Sequence, residues 1–138
     1  MAAIVCGIDG SPGAIEALRV AGALSAQFDA RLVLAHIADG WISPGGGQSL
    51  TSIQAHQGGN RLLERAASRQ AVHAERRVEI GEPAEGLARI ASEEAAGLIV
   101  VGSRRLGRFR PRLHSSLAGD LAAAAPCPVV VVPPPARR

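Results

Sequence analysis

Neither lysine nor tyrosine occurs in this 138-residue chain. Without lysine there is no Schiff-base chemistry and no Walker-type P-loop, since both depend on its ammonium group. Aromatic residues make up only 2%, so a core has to be built from Val, Leu, Ile and Ala. A base-stacking nucleic-acid surface is not expected either. No apolar run approaches the ~20 residues that cross a bilayer. Met1–Gly10 has neither a basic segment nor a cleavage-like site, so a cytoplasmic protein with no membrane partner is expected. The two cysteines, Cys6 and Cys127, each sit beside a Val-rich run and read as buried, reduced thiols. No Cys-x-x-Cys spacing points to metal or redox work.

What is present fits one α/β domain spanning residues 1–138, with a disordered tail at 133–138. Ala3–Ile8 is a β-branched apolar run and reads as a buried strand. Ser11 then stands as N-cap and Pro12 as first residue of a helix with Leu18, Ala21, Leu24 and Phe28 on its inner face, stopping around Phe28-Asp29-Ala30. Arg31–Ile37 is a second apolar strand, and Asp39–Gln48, with Trp41 and three consecutive glycines, is a loop. A second helix is predicted over about Leu50–Ala71, with Leu62, Leu63 and Ala66 inward and Gly58-Gly59 interrupting its propensity. Val72–Ile80 alternates like a strand near a sheet edge. Gly81-Glu82-Pro83 starts a third helix with Leu87, Ile90 and Ala91 inward, ended by Gly97. Leu98–Val101 is a fully apolar, central strand; a helix over about Leu113–Ala125 and the strand Val129–Val132 complete the chain. Strands alternating with helices in this way imply a parallel sheet with helices on both faces.

In such sheets ligands bind beyond the carboxyl ends of the strands, where strand order reverses. If the first and fourth strands are neighbours there, the loops Asp9–Ser11 and Gly102–Ser116 face one another. Arg104, Arg105, Arg108, Arg110 and Arg112 crowd the second loop, either as a solvated charged segment or as an anion clamp.

Four segments carry a family resemblance over Ala3–Pro133. They are Gly7-Ile8-Asp9-Gly10-Ser11-Pro12, Gly81-Glu82-Pro83, Leu98–Ser103, and the run from Ala125-Pro126-Cys127-Pro128 through Val132. In order and spacing these resemble the universal stress protein family. The resemblance implies a doubly wound five-stranded parallel sheet of order 3-2-1-4-5. It also implies a homodimer paired through Val129–Val132, a flat apolar strand that is an aggregation hazard if left uncovered. In that order Cys6 and Cys127 lie near twice the ~4.8 Å strand spacing apart, too far for a disulfide.

Many family members bind ATP through a loop of the form Gly-x2-Gly-x9-Gly-Ser/Thr, whose backbone N–H groups and following helix N-terminus receive phosphates. Here Gly102 and Ser116 match the ends, while Arg105 and Ser115 stand where the middle glycines would be. Backbone cradling is therefore weakened, and a guanidinium that pairs with phosphate is gained. The nucleotide-binding set implied is Gly7, Asp9, Ile37, Val101, Gly102, Arg105, Ser115, Ser116 and Leu117, with ATP or AMP as ligand, with or without magnesium.

Plainer readings stand beside these. Asp9 is either a ligand to the nucleoside end or a turn residue ahead of the Ser11 cap. Gly102 either opens a phosphate loop or simply ends a strand, and Ser115 and Ser116 either meet phosphate or cap the last helix. Trp41 either covers a base or lies on an apolar patch. His36 and His114 lack the further ligands or paired carboxylate that metal or general-base work requires; His56 and His73 read as surface residues. The reading reached is a regulatory domain that binds an adenine nucleotide through a degenerate phosphate loop and is not an enzyme. Its alternative is a homodimeric interaction module of the same fold that has lost nucleotide binding. Slow ATP hydrolysis is disfavoured by the absence of a lysine and of an evident base.

Overall fold

The computed structural model of the chain describes residues 1–39, 49–70, 72–103 and 117–134. Its elements are β1 (Ala3–Gly7), α1 (Pro12–Phe28), β2 (Arg31–Asp39), α2 (Ser49–Gln70), β3 (Glu75–Gly81), α3 (Pro83–Glu93), β4 (Ala96–Gly102), α4 (Leu117–Ala124) and β5 (Val129–Val132). The strands form a five-stranded sheet in the order β3-β2-β1-β4-β5, and all four pairings are parallel. This is the order the resemblance implied.

Side chains alternate across each strand, and the two faces are covered by different helices. Ile4, Cys6, Leu32, Leu34 and Val100 pack with Ala14, Ala17, Leu18 and Ala21 of α1 and Leu63 of α2. Val5, Val33, Ala35, Ile99 and Val101 pack with Ala84, Leu87, Ile90 and Ala91 of α3 and Leu121 of α4. No polar or charged residue is buried among the described residues, so the core there is built from apolar side chains.

Local chemistry sets the helix boundaries. Ser11 caps α1, its side chain accepting from the Ala14 N–H, with Pro12 in the first turn, as the sequence predicts. Asp29 closes α1 in the left-handed region at φ 53°. Glu82 caps α3 by accepting from the Glu85 N–H at 2.9 Å, ahead of Pro83.

Several expectations are corrected. Phe28 is 48% exposed because it belongs to the last turn of α1, beyond the part of the helix that lies on the sheet. Gly97 does not end α3; the helix stops at Glu93, Ala95 turns the chain with φ 54°, and Gly97 lies within β4. There it admits the Met1 side chain, which comes within 2.6 Å of where a Cβ would stand. The third strand begins at Glu75, not Val72; Val72 and Ala74 instead pack against the cluster under α1 and α2. Cys127 is only half-buried, although both cysteines are free. Trp41, His114 and the start of the last helix before Leu117 lie outside the described residues.

Candidate functional site

β1 and β4 are adjacent, and strand order reverses between them, so their carboxyl ends open a crevice. A cleft lies there, lined by residues of β1, β2, β4 and the starts of α1, α3 and α4. Its floor is Gly7, Ala35 and Val101, from β1, β2 and β4. Its walls include Ile37, Pro83, Leu87 and Leu117, and its rim carries Asp9, Ser11 and Gly102. The lining is largely apolar, and among its described residues Asp9 is the one formally charged side chain.

The rim is built by one compact turn. Asp9 Oδ1 accepts from the Ser11 N–H at 2.9 Å and from the Ser11 hydroxyl at 2.6 Å, and Gly10 between them takes φ 85°. The Ser11 hydroxyl in turn accepts from the Ala14 N–H at 3.3 Å. The turn reading of Asp9 is therefore observed. Its carboxylate is fixed at the mouth of the cleft beside the first turn of α1. The N-termini of α1 and α3 both reach the lining through Ser11 and Pro83, and their partial positive charge favours an anion there.

His36 stands behind this turn. Its Nδ1 donates to the Ile8 carbonyl at 2.8 Å, while the Ile8 N–H donates to the Ala35 carbonyl at 2.8 Å, so β1 stays tied to β2 up to the residue before Asp9. The ring thus has a structural partner of its own. His56 and His73 are exposed, as predicted. Burial pushes the Cys6 thiol up to about 12, which removes it as a nucleophile at neutral pH.

Gly102 has a packing reason for lacking a side chain. A Cβ there would stand 2.5 Å from the carbonyl carbon and oxygen of Gly13 and 3.0 Å from the Ala14 nitrogen. The end of β4 therefore touches the backbone of the first turn of α1, and only glycine permits the approach. At Gly7 a Cβ would meet the Leu87 side chain at 3.0 Å and Val101 at 3.3 Å, so this glycine keeps the floor of the cleft open.

Of the residues named from sequence, Gly7, Asp9, Ile37, Val101, Gly102 and Leu117 come together around this one cleft. Arg105, Ser115 and Ser116, with the Arg104–Arg112 cluster, lie outside the described residues. Sequence reasoning placed Ser11 in a loop facing the site without naming it a ligand residue, and it missed Ile8, Ala14, Ala35, Pro83 and Leu87 as lining residues. Pro83 and Leu87 could have been found by applying the strand-end rule to the Gly81-Glu82-Pro83 turn as well as to the first and fourth strands. Among the described residues no group of three or more His, Cys, Asp or Glu could hold a metal ion.

The family model of the universal stress proteins matches residues 1–133. The chain belongs to the universal stress protein family. A universal stress protein from Mycobacterium tuberculosis is 33% identical over 136 residues, covering 96% of this chain and 48% of the relative. The chain thus spans about half the length of that relative. A crystal structure of a family member from Burkholderia pseudomallei is 32% identical, covers 97% of this chain and 96% of its own, and superposes with a TM-score of 0.73. A universal stress protein crystallised in complex with cAMP is 26% identical, covers 97% of this chain and 98% of its own, and has a TM-score of 0.71.

Proposed function

We propose that this chain is a single regulatory domain that binds an adenine nucleotide, AMP or ATP, in the cleft at the β1–β4 crossing. The observation that carries the reading is the convergence of Asp9, Ile37, Val101, Gly102 and Leu117 on one largely apolar crevice faced by two helix N-termini. An apolar interior suits a purine face, and a fixed carboxylate at the rim suits a ribose hydroxyl. The cAMP complex of a 26% identical family member supports the adenine class. Phosphates would be met by Gly102 and by the segment bearing Arg105, Ser115 and Ser116, where a guanidinium takes over work that glycine backbone does elsewhere in the family. Magnesium, where it takes part, would arrive with ATP.

The domain acts by binding rather than by catalysis in this reading. The described lining offers one ionisable side chain, Asp9, and it is committed to the turn with Ser11. Dimerisation through β5 and work in the cytoplasm belong to the same proposal. No helix among the described residues is long and apolar enough to cross a membrane.

Calorimetric titration with AMP, ATP and cAMP, with and without magnesium, tests the nucleotide claim. Saturable binding that is weakened by Asp9→Ala and by Gly7→Leu is expected. No heat and no melting shift at millimolar nucleotide would end it. Native mass spectrometry of the freshly purified chain adds a direct view of any carried-over nucleotide.

A further inference from the structure

A second depression lies between α1 and α2. Its base is apolar, made by Ile15 and Leu18 of α1 and Leu62 and Ala66 of α2, and Arg65 and Arg69 line it from α2. No acidic residue belongs to the lining. Ile15 is 40% exposed there, an apolar surface left to water.

The groove's two arginines differ from most of the others. Arg19, Arg31, Arg76, Arg77 and Arg89 are each within ion-pair distance of at least one glutamate. Arg65 and Arg69, like Arg61 on the same helix, have no acidic partner among the described residues, and of these three only Arg65 and Arg69 line the groove. Four residues apart on one helix, they are neighbours on the same face, where two like charges repel. A single carboxylate between them would relieve that repulsion and accept charge-assisted hydrogen bonds from both guanidinium groups. The apolar base beside them would receive a hydrocarbon body.

We infer that the α1–α2 groove is a binding site for a small amphipathic anion, an acyl carboxylate whose head meets Arg65 and Arg69 and whose chain covers Ile15 and Leu62. The inference does not rest on the nucleotide reading, because apart from Ile8, Ser11 and Ala14 the two clefts are lined by different residues.

Octanoate is the probe, followed by methyl NMR of Ile15 and Leu62, with acetate and 1-octanol supplying head and body alone. Octanoate should shift both methyl groups saturably, and neither control should match it. Replacing both arginines (Arg65→Gln with Arg69→Gln) should weaken octanoate by about tenfold or more, while Arg19→Gln, on the exposed side of α1, should change it by less than about twofold. Added AMP should leave the shifts in place. Four results overturn the inference: 1-octanol binding as well as octanoate, the double variant binding like the parent, displacement by AMP, or the same shifts appearing on raising protein concentration alone. The last would mark the groove as a contact between copies of the chain.

Discussion

Exchanging Gly102 for alanine sets a methyl group against the Gly13 carbonyl, which belongs to a capped helix and cannot rotate aside. Overpacking of this kind costs about 1–3 kcal/mol. Gly102→Ala should lower the urea midpoint by a corresponding amount whether or not nucleotide is present; an unchanged midpoint would mean that β4 and α1 do not approach so closely. Gly7→Ala differs, because its new methyl meets the ends of Leu87 and Val101, which are side chains able to shift. Its cost to stability should be smaller, and its effect on a ligand at the cleft floor larger. The same two glycines show what a sequence can reveal about a site. Their place at strand ends was legible, and so was the Ser11-Pro12 helix start, because these are local chemistry. The reason for Gly102 was not legible, because the atoms that forbid a side chain belong to a distant segment brought alongside only by folding.

At the scale of elements, α2 carries an informative pair. Gly58-Gly59 reads as an interruption, yet the helix runs unbroken through it. A Cβ at Gly58 would meet nothing within 4 Å, whereas one at Gly59 would lie 2.7 Å from Val78 Cγ1 and 3.0 Å from His36 Cδ2. Gly58→Ala should therefore stabilise the protein by about 0.5–1 kcal/mol through helix propensity. Gly59→Ala should destabilise it, because Val78 is β-branched and has little rotamer freedom to yield. Thermal melts of the two variants should move in opposite directions. α3 is tied to the sheet differently. Arg77 reaches Glu79, Glu93 and Glu94, Arg31 joins Glu75 to Glu94, and Arg89 meets Glu79. Hydrogen bonds from Arg89 and Arg77 hold the Glu79 carboxyl below the ordinary glutamate range, and those from Arg31 and Arg77 do the same for Glu94. Such groups take up a proton less readily in the folded chain than in the unfolded one. Their stabilisation is complete above the ordinary range and is lost as acid is added. The melting temperature should fall between about pH 5 and pH 3, and the Glu79→Gln/Glu94→Gln variant should show a flatter profile. An equally steep profile in that variant would place the acid sensitivity elsewhere. Hydrophobic spacing showed that α3 faces inward at Leu87, Ile90 and Ala91. It could not show this network, whose members come from β2, β3, α3 and its C-cap residue Glu94.

For the whole molecule, alternating strands and helices announced a parallel sheet covered on both faces. Strand order came from the family resemblance, since periodicity fixes which face a residue takes but not which strand lies beside which. That order leaves two edges with different chemistry. β3 presents Glu75, Arg76, Arg77 and Glu79, charges that discourage another strand from pairing. β5 is four valines: Val130 and Val132 belong to the cluster on the α1 face, Val129 to the cluster on the α4 face, and Val131 stays 42% exposed. An unprotected edge of this kind is where a second copy would dock, and a symmetric partner strand would cover the backbone groups and Val131 together. Light scattering at tens of micromolar should thus report a dimer. Val131→Glu places a charge on a side chain that the single chain already exposes, so the fold should survive while the dimer dissociates. If the parent is a monomer at that concentration, or if the Val131→Glu protein remains a dimer with unchanged mass, pairing through β5 is wrong and the valine edge must be protected in another way.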